Sequence, residues 1–389
     1  MSMDQEVLIL CYTPLARDPR VHRQIMALRH DYRLTVIGHG PPPELDEPVP
    51  HWIAAPPPGA WGTLDKLRCA AALLGGQDVR PHIIPARQAL SAQLAGRRFA
   101  AVLANDLDTL PFAFRMAAGA PVIWDAHEYY LDDQAPTWRS RLVISPYMRR
   151  IAKSYIPRCT SVMTVCDGIA RRYRDEFGVD PQIVLNAPEH APGLHPTPTP
   201  ERPIRLVHHG GMAASRCFDV LLDAVARLGN GYTLDLMLLP GADAAWSRLR
   251  RLVDGVANAR LVPPVPMTDI PRRLNEGYDI GIHFLPPVSF NDRQALPNKF
   301  FEFIQARLAI ATGPSPAMAE LIGRHDLGVV ADGFTAASAA AAIGRLDRSR
   351  IDACKANAHA AAAIYHAATA RSAIRGIVAD AIARRRTGR

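Results

Sequence analysis

Short β-prone runs recur along this chain, each followed by a polar turn and then a stretch with helical spacing, and that alternation leaves little choice of architecture. Val7 to Tyr12 is bounded by Thr13 and Pro14, Val21 to Leu28 is spaced as a helix, and Leu34 to Gly38 is again a strand. The series continues through Phe99 to Ala104, Pro121 to Trp124 and Ser161 to Val165. Strands separated by helices pair in parallel, because a parallel neighbour is reached only by a crossover long enough to hold a helix. The expected fold class is α/β, with a doubly wound parallel sheet.

The series is interrupted once. Ala187 to Pro203 (APEHAPGLHPTPTPERP) has no apolar periodicity and the composition of a semi-rigid linker. After it the alternation restarts with Arg205 to His209, a helix over Phe218 to Arg227, then Thr233 to Leu239, Arg260 to Val262, Asp279 to Phe284, a helix from Pro297, Ala309 to Thr312, and Val329-Val330. A chain of 389 residues, 48% of them hydrophobic, is long enough for two cores. The expected organisation is a Rossmann-like domain over 1–186, a linker over 187–203, and a second Rossmann-like domain over 204–365. The Ala-rich tail reads as a helix over about 366–389 that can pack back on the first domain. Gly40 to Gly59, rich in proline, reads as a surface excursion.

Several function classes recede on composition. Six scattered cysteines with no CxxC pair signal neither a disulfide framework nor a zinc site. No apolar run reaches the ~18 residues needed to span a bilayer, and the start, Met1 to Glu6, is acidic; the expected location is the cytoplasm. A net charge of +8 favours anionic partners. Arginine dominates the basic residues but is dispersed and lacks an interleaved aromatic platform, which argues against nucleic acid.

The most informative segment runs from Gln294 through Ala-Leu-Pro-Asn-Lys-Phe-Phe to Glu302 and on to Thr312. Pro297 suits the first turn of a helix, so Asn298, Lys299 and the neighbouring amides would sit at a positive helix end, a ready anion site. Phe300, Phe301, Phe303 and Ile304 supply buried faces, and Glu302 is the one carboxylate, able to accept two hydrogen bonds from a ribose diol. The alternative is a solvated glutamate beside an ordinary cap.

This stretch resembles the donor-site signature of retaining family 4 glycosyltransferases, in which a Glu-x7-Glu motif spans the same turn and helix. Here the spacing is Gln294-x7-Glu302. The resemblance gives Glu302 the ribose of a nucleotide-sugar donor and Gln294 the donor sugar, where the family has an acid. His208-His209-Gly210-Gly211 followed by Arg216 resembles the family's glycine-rich turn and basic residue at the donor diphosphate, with Met212 in place of an arginine. Lys299 is a second candidate cation there. In the first half, Trp124-Asp125-Ala126-His127-Glu128-Tyr129 follows a strand, and His127 matches a family histidine near the donor sugar and the reaction centre.

The turn from Ala16 to Arg23 resembles the family's first strand-to-helix loop, which makes Asp18 and Arg20 candidates for acceptor contacts. Asp18 also suits the N-cap position before Pro19. Asn105-Asp106-Leu107-Asp108-Thr109 contains the Asp-x-Asp by which another glycosyltransferase fold holds a metal. Following a strand and preceding an apolar helix, at least one of these acids reads as a helix cap, and Asp106 as a residue lining the cleft. No metal and no cofactor is expected.

The resemblance runs over nearly the whole chain. It implies a GT-B fold, two Rossmann-like domains facing a cleft, that transfers a sugar with retention to a glycan, lipid-linked or small-molecule acceptor. A basic and apolar stretch from Trp138 to Lys153 makes an anionic membrane surface a candidate partner. A sugar-nucleotide epimerase of the same architecture and a non-catalytic nucleotide-sugar binder are the rival readings.

Overall fold

The structure is a computed structural model that describes residues 5–14, 18–42, 45, 51–55, 90–131, 145–212, 218–241, 243–284 and 286–387. The chain forms two compact units, Met1–Leu185 with Ala370–Arg389, and Asn186–Thr369.

In the first unit seven strands form one parallel sheet. They are β1 (Glu6–Pro14), β2 (Arg33–His39), β3 (His51–Ala55), β4 (Ala101–Asn105), β5 (Val122–Asp125), β6 (Ser161–Thr164) and β7 (Gln182–Ile183), in the spatial order β3-β2-β1-β4-β5-β6-β7. Helix α1 (Pro19–Leu28) starts where the sequence expects it, because the Asp18 carboxylate accepts the Arg20 amide hydrogen bond and Pro19 occupies the first turn. Helices α2 (Leu110–Ala117), α3 (Ser145–Tyr155) and α4 (Asp167–Phe177) follow β4, precede β6 and follow β6. Inward-facing Val7, Ile9 and Cys11 of β1 meet Val21, Ile25 and Leu28 of α1 in one core.

The second unit repeats the plan with six parallel strands: β8 (Ile204–Gly211), β9 (Tyr232–Leu239), β10 (Ala259–Val262), β11 (Ile280–His283), β12 (Ala309–Thr312) and β13 (Gly328–Val330), ordered β10-β9-β8-β11-β12-β13. Its helices are α5 (Phe218–Leu228), α6 (Asp243–Asp254), α7 (Ile270–Gly277), α8 (Phe290–Arg293), α9 (Asn298–Gln305), α10 (Pro316–His325), α11 (Ala336–Gly344) and α12 (Arg348–Ala362). Leu206, Leu234, Leu236, Ile280 and Ile282 from the sheet pack with Phe218, Leu221, Leu222 and Val225 of α5. Helix α9 is buried from Lys299 to Gln305. It approaches the sheet this closely because β11 offers Gly281 opposite Phe303: a Cβ on Gly281 would lie 2.3 Å from the ring.

Two segments differ from the sequence reading. Within the proline-rich stretch 40–59, His51–Ala55 is an edge strand paired in parallel with β2, Val36 opposite Trp52. Prolines on either side obscure it in sequence, but an edge strand tolerates them because one of its backbone edges has no ladder to break. Residues 187–203, read as a linker, belong to the second unit and are tied to it. Arg307 donates to the Ala191 carbonyl, the Asp352 carboxylate accepts the Thr199 amide hydrogen, and the Lys355 ammonium reaches both the Thr197 carbonyl at 3.1 Å and Asp279 at 2.7 Å.

The final helix, α13 (Ala367–Arg386), returns the chain to the first unit from Ala370 onward. Ile374, Ile377, Val378, Ala381 and Ile382, spaced to line one face, join the core of β1 and α1. Arg375 fixes its position by donating to the Ala27 carbonyl and pairing with Asp31 at 3.0 Å.

Because the Gly281 and Phe303 surfaces are in contact, Gly281→Ala is expected to push α9 off the sheet. Overpacking of this size costs about 1–3 kcal/mol, to be read as a lowered midpoint in thermal unfolding. A melt indistinguishable from wild type would show that α9 is held in some other way.

Candidate functional site

In both units the strand order reverses beside the first strand, between β1 and β4 and again between β8 and β11. Loops leave to opposite sides at such a point and open a crevice at the carboxyl ends of the strands, where open α/β sheets bind ligands. The candidate residues gather there in each unit.

In the first unit the loops after β1, β4 and β5 bring together Asp18, Arg20, Asp106, His127 and Tyr130. Arg20 grips Asp18 with two prongs, Nε to Oδ1 at 3.1 Å and Nη2 to Oδ2 at 2.7 Å, and Thr13 adds a hydroxyl hydrogen bond to the same carboxylate at 2.8 Å. Its remaining prong, Nη1, reaches the ring nitrogens of His127, 2.6 Å from Nε2, and lies 3.6 Å from Asp106. Tyr130 donates its hydroxyl hydrogen to Asp106 at 2.6 Å, and its oxygen stands 3.2 Å from the His127 nitrogens. Beneath them Gln24 donates to both Asn105 and Asp125, each at 2.7 Å. Asp106 has φ +70° with ψ 154°, outside the left-handed helical well and in a region that residues other than glycine rarely enter.

These contacts define protonation. Arginine only donates, so its contact with the ring requires a lone pair there, which a doubly protonated imidazolium does not have. Burial and the Arg20 charge push the His127 imidazole down to about 4, so it is neutral at ordinary pH. Burial works against the Arg20 charge, but Asp18, Asp125 and Asp106 outweigh it and hold the guanidinium protonated. Burial pushes the Asp125 carboxyl up to about 6. The cluster therefore presents a neutral, oriented imidazole between a fixed cation and a carboxylate, suited to holding a hydroxyl group or relaying its proton.

In the second unit β8 ends in His208, His209, Gly210 and Gly211, with α9 alongside. Gly210 has φ +114°, in the region only glycine enters freely, and a Cβ built on it would lie 3.5 Å from the Lys299 ammonium. Lys299 Nζ donates to His208 Nε2 at 3.0 Å. His209 Nε2 lies 3.4 Å from the Glu302 carboxylate. Burial, then the Lys299 charge, push the His209 imidazole down to about 3. Glu302 is 8% exposed, which excludes the solvated-glutamate alternative. Withdrawing a carboxylate from water is costly unless it is paired or hydrogen-bonded.

The remaining candidates are placed as follows. Asn298 is the first residue of α9, and Pro297 is its N-cap with extended backbone, ψ 155°, rather than a residue of the first turn. Gln294 closes the short helix α8, its amide donating to the Asp292 and Phe290 carbonyls. Gly211 is the last residue of β8. Arg216 lies outside the described residues, as does Trp138 to Arg141 of the basic stretch. Asp18 is both N-cap and ligand of Arg20. The side chain of Asp106 makes no capping hydrogen bond, its carboxylate being taken by Tyr130. Among the described residues no group of three His, Cys, Asp or Glu side chains is arranged to hold a metal.

Tyr130, Gln24 and Asn105 were not legible as site residues. Tyr130 had a signal in its position three residues after His127; the buried amides Gln24 and Asn105 had none, since only the fold brings α1 against β4 and β5.

Two titrations follow from this geometry. Arg20→Met removes a positive charge that opposes protonation and is expected to move the His127 titration upward, whereas Asp106→Asn removes a favouring negative charge and is expected to move it downward; histidine NMR resolves both. Unfolded histidine binds a proton near ~6.5, so as pH falls from there to about 4 for His127 and about 3 for His209 the unfolded chain takes up protons that the folded one excludes. Stability is lost through that acid window, and His209→Gln is expected to shrink the loss in pH-dependent melts.

Comparison with known proteins places this arrangement. Residues 18–188 match the family model described as a glycosyl transferase 4-like domain. No curated protein sequence matches the chain. Among solved structures, Anabaena Alr3699/HepE in complex with UDP and glucose is 13% identical with a TM-score of 0.69, over 97% of this chain and 100% of that one. Sucrose-phosphate synthase from Thermosynechococcus elongatus is 13% identical, TM-score 0.69, over 95% and 96%. WaaG, a glycosyltransferase involved in lipopolysaccharide biosynthesis, is 14% identical, TM-score 0.63, over 95% and 99%. Two parallel-sheet Rossmann-like units and likeness to glycosyltransferase structures over nearly its whole length give this chain the GT-B fold, and residues 18–188 are similar to a glycosyl transferase 4-like domain.

Proposed function

We propose that the chain is a family 4 glycosyltransferase that moves a sugar, with retention of anomeric configuration, from a nucleotide-sugar donor to a glycan, lipid-linked or small-molecule acceptor in cell-surface polysaccharide or glycoconjugate biosynthesis. The observation that carries the reading is the withdrawn Glu302 carboxylate beside the Lys299 ammonium and the Gly210 turn, at the switch point of the second unit. That is the donor set a nucleotide diphosphate requires: an acceptor pair for the ribose diol, a cation, and backbone close enough to meet phosphate oxygens. Solved relatives in fold hold UDP with glucose, or UDP-glucose.

In this reading the bond from the anomeric carbon to the diphosphate oxygen breaks as one to the acceptor oxygen forms on the same face, and the acceptor's proton passes to the departing phosphate. Lys299, Arg216 and the amides at the start of α9 stabilise the leaving charge, Gln294 meets the sugar hydroxyls, and Glu302 fixes the ribose. In the first unit His127 is the neutral group for the sugar, with Asp18, Arg20 and Asp106 setting it. Catalysis is then mostly electrostatic and positional, and the reading assigns no metal and no cofactor.

A panel of UDP-, GDP- and dTDP-sugars, screened by thermal shift and by turnover, tests the proposal. Glu302→Ala is expected to lower kcat/KM by about 10–100-fold, the worth of a hydrogen bond to a charged group. An unchanged rate in a folded variant would refute the site. NMR of the donor incubated without acceptor separates transfer from isomerisation: an epimer appearing there would reassign the chain as an epimerase.

We also propose that the enzyme works from the cytoplasm against an anionic membrane surface, on the basis of Arg149, Arg150 and Lys153 in α3 and the basic residues just before it. Among the described residues no helix is long and apolar enough to cross a membrane. Flotation with phosphatidylserine vesicles at low salt is expected to carry the protein upward, and neutral vesicles are not; equal behaviour would remove the membrane from the proposal.

A further inference from the structure

His208 lies in β8 directly after Leu206 and Val207 and is fully buried. Its Nδ1 lies 2.9 Å from the Ile282 carbonyl of β11, an atom that can only accept, so Nδ1 carries the hydrogen. Nε2 is then a lone pair, and the group placed against it, at 3.0 Å, is the Lys299 ammonium. The ring has no freedom to exchange these roles. His283 stacks on it with centroids 5.9 Å apart at 14°, and Phe218 closes it edge-on at 5.6 Å. The strands that hold it, β8 and β11, flank the switch point, with Leu206 opposite Ile280 in register.

We propose that His208 is a positioning residue whose Nε2 lone pair pins the Lys299 ammonium beneath the Gly210 turn as a preset cation for the donor diphosphate. The inference rests on the nucleotide-sugar reading given above. A lysine has a long flexible stem and loses rotamer freedom when it binds. Fixing it beforehand removes that loss from the binding step and sets the charge where it must act. A carboxylate in the place of His208 would offset the charge of the ammonium that it held, whereas a neutral imidazole holds the ammonium without adding a charge of its own. Burial, with Lys299 and His283 beside it, keeps the imidazole well below its ordinary range, so the lone pair persists at working pH; His209 is the other titratable group facing it.

Binding of UDP, of GDP and of dTDP, measured by calorimetry on the full chain, tests the role through a double-mutant cycle. Lys299→Met and His208→Leu are each expected to weaken the nucleotide that binds by about tenfold, while His208→Leu made in the Lys299→Met background changes affinity less than about twofold. His208→Gln, whose carbonyl can still accept from the ammonium, is expected to stay within about threefold of wild type. A His208→Leu effect that persists undiminished without Lys299 would overturn the positioning role and leave the donor site standing. Wild type that binds none of UDP, GDP and dTDP would overturn the donor reading and the proposal with it. Nitrogen-15 NMR decides the pinning apart from any ligand and needs no variant: an Nδ1–H neutral tautomer, unchanged from pH 5 to 8, is expected, and an Nε2–H tautomer or a titration in that range would overturn it.

Discussion

Parallel strands can neighbour one another only through a crossover, and when successive crossovers change direction two adjacent strands release their chains to opposite faces of the sheet. In this molecule that happens between β1 and β4 and between β8 and β11. Asp18, Arg20, Asp106 and His127 are arranged around the first gap, and Gly210, Lys299 and Glu302 around the second. Asp18 caps the helix that leaves one side of the first gap, while Asp106 and His127 follow strands on the other. In the second, Gly210 ends β8, and α9 brings Lys299 and Glu302 to it. Hydrophobic packing then determines how closely these parts meet, most plainly where the missing side chain of Gly281 admits the Phe303 ring.

Both clusters set a histidine ring against a cation withdrawn from water. A cation withdrawn from water is destabilised unless something accepts its hydrogen bonds, and a carboxylate partner removes the very charge a ligand would use. Each unit places a neutral imidazole against its cation: His127 against Arg20, and His208 against Lys299. The first unit adds acids, Asp18 and Asp106, and so confines its guanidinium to an internal role.

Much of this was legible in the sequence because it follows from periodicity and from turn chemistry. The boundaries of the strands from Val7 and from Ile280, the cap at Asp18 and the approach of Lys299 and Glu302 on one helix are local consequences of residues a few positions apart. What was not legible depends on register between distant strands. His208 looks like an ordinary polar residue until β11 puts the Ile282 carbonyl opposite it, and Tyr130 looks like a second aromatic until β4 delivers Asp106. The strand His51–Ala55 was hidden by its prolines, and the segment 187–203 by a composition that resembles a spacer although Arg307, Asp352 and Lys355 bind its backbone.

The return of α13 makes the second unit an insertion in the chain of the first. Ile374, Ile377, Val378, Ala381 and Ile382 supply part of the apolar core around β1 and α1, yet they are synthesised after all of Asn186–Thr369. During translation the second unit has its whole sequence available earlier, while the amino-terminal sheet waits with one flank uncovered. The amino-terminal segments that are made first therefore wait longest for the residues that complete their core.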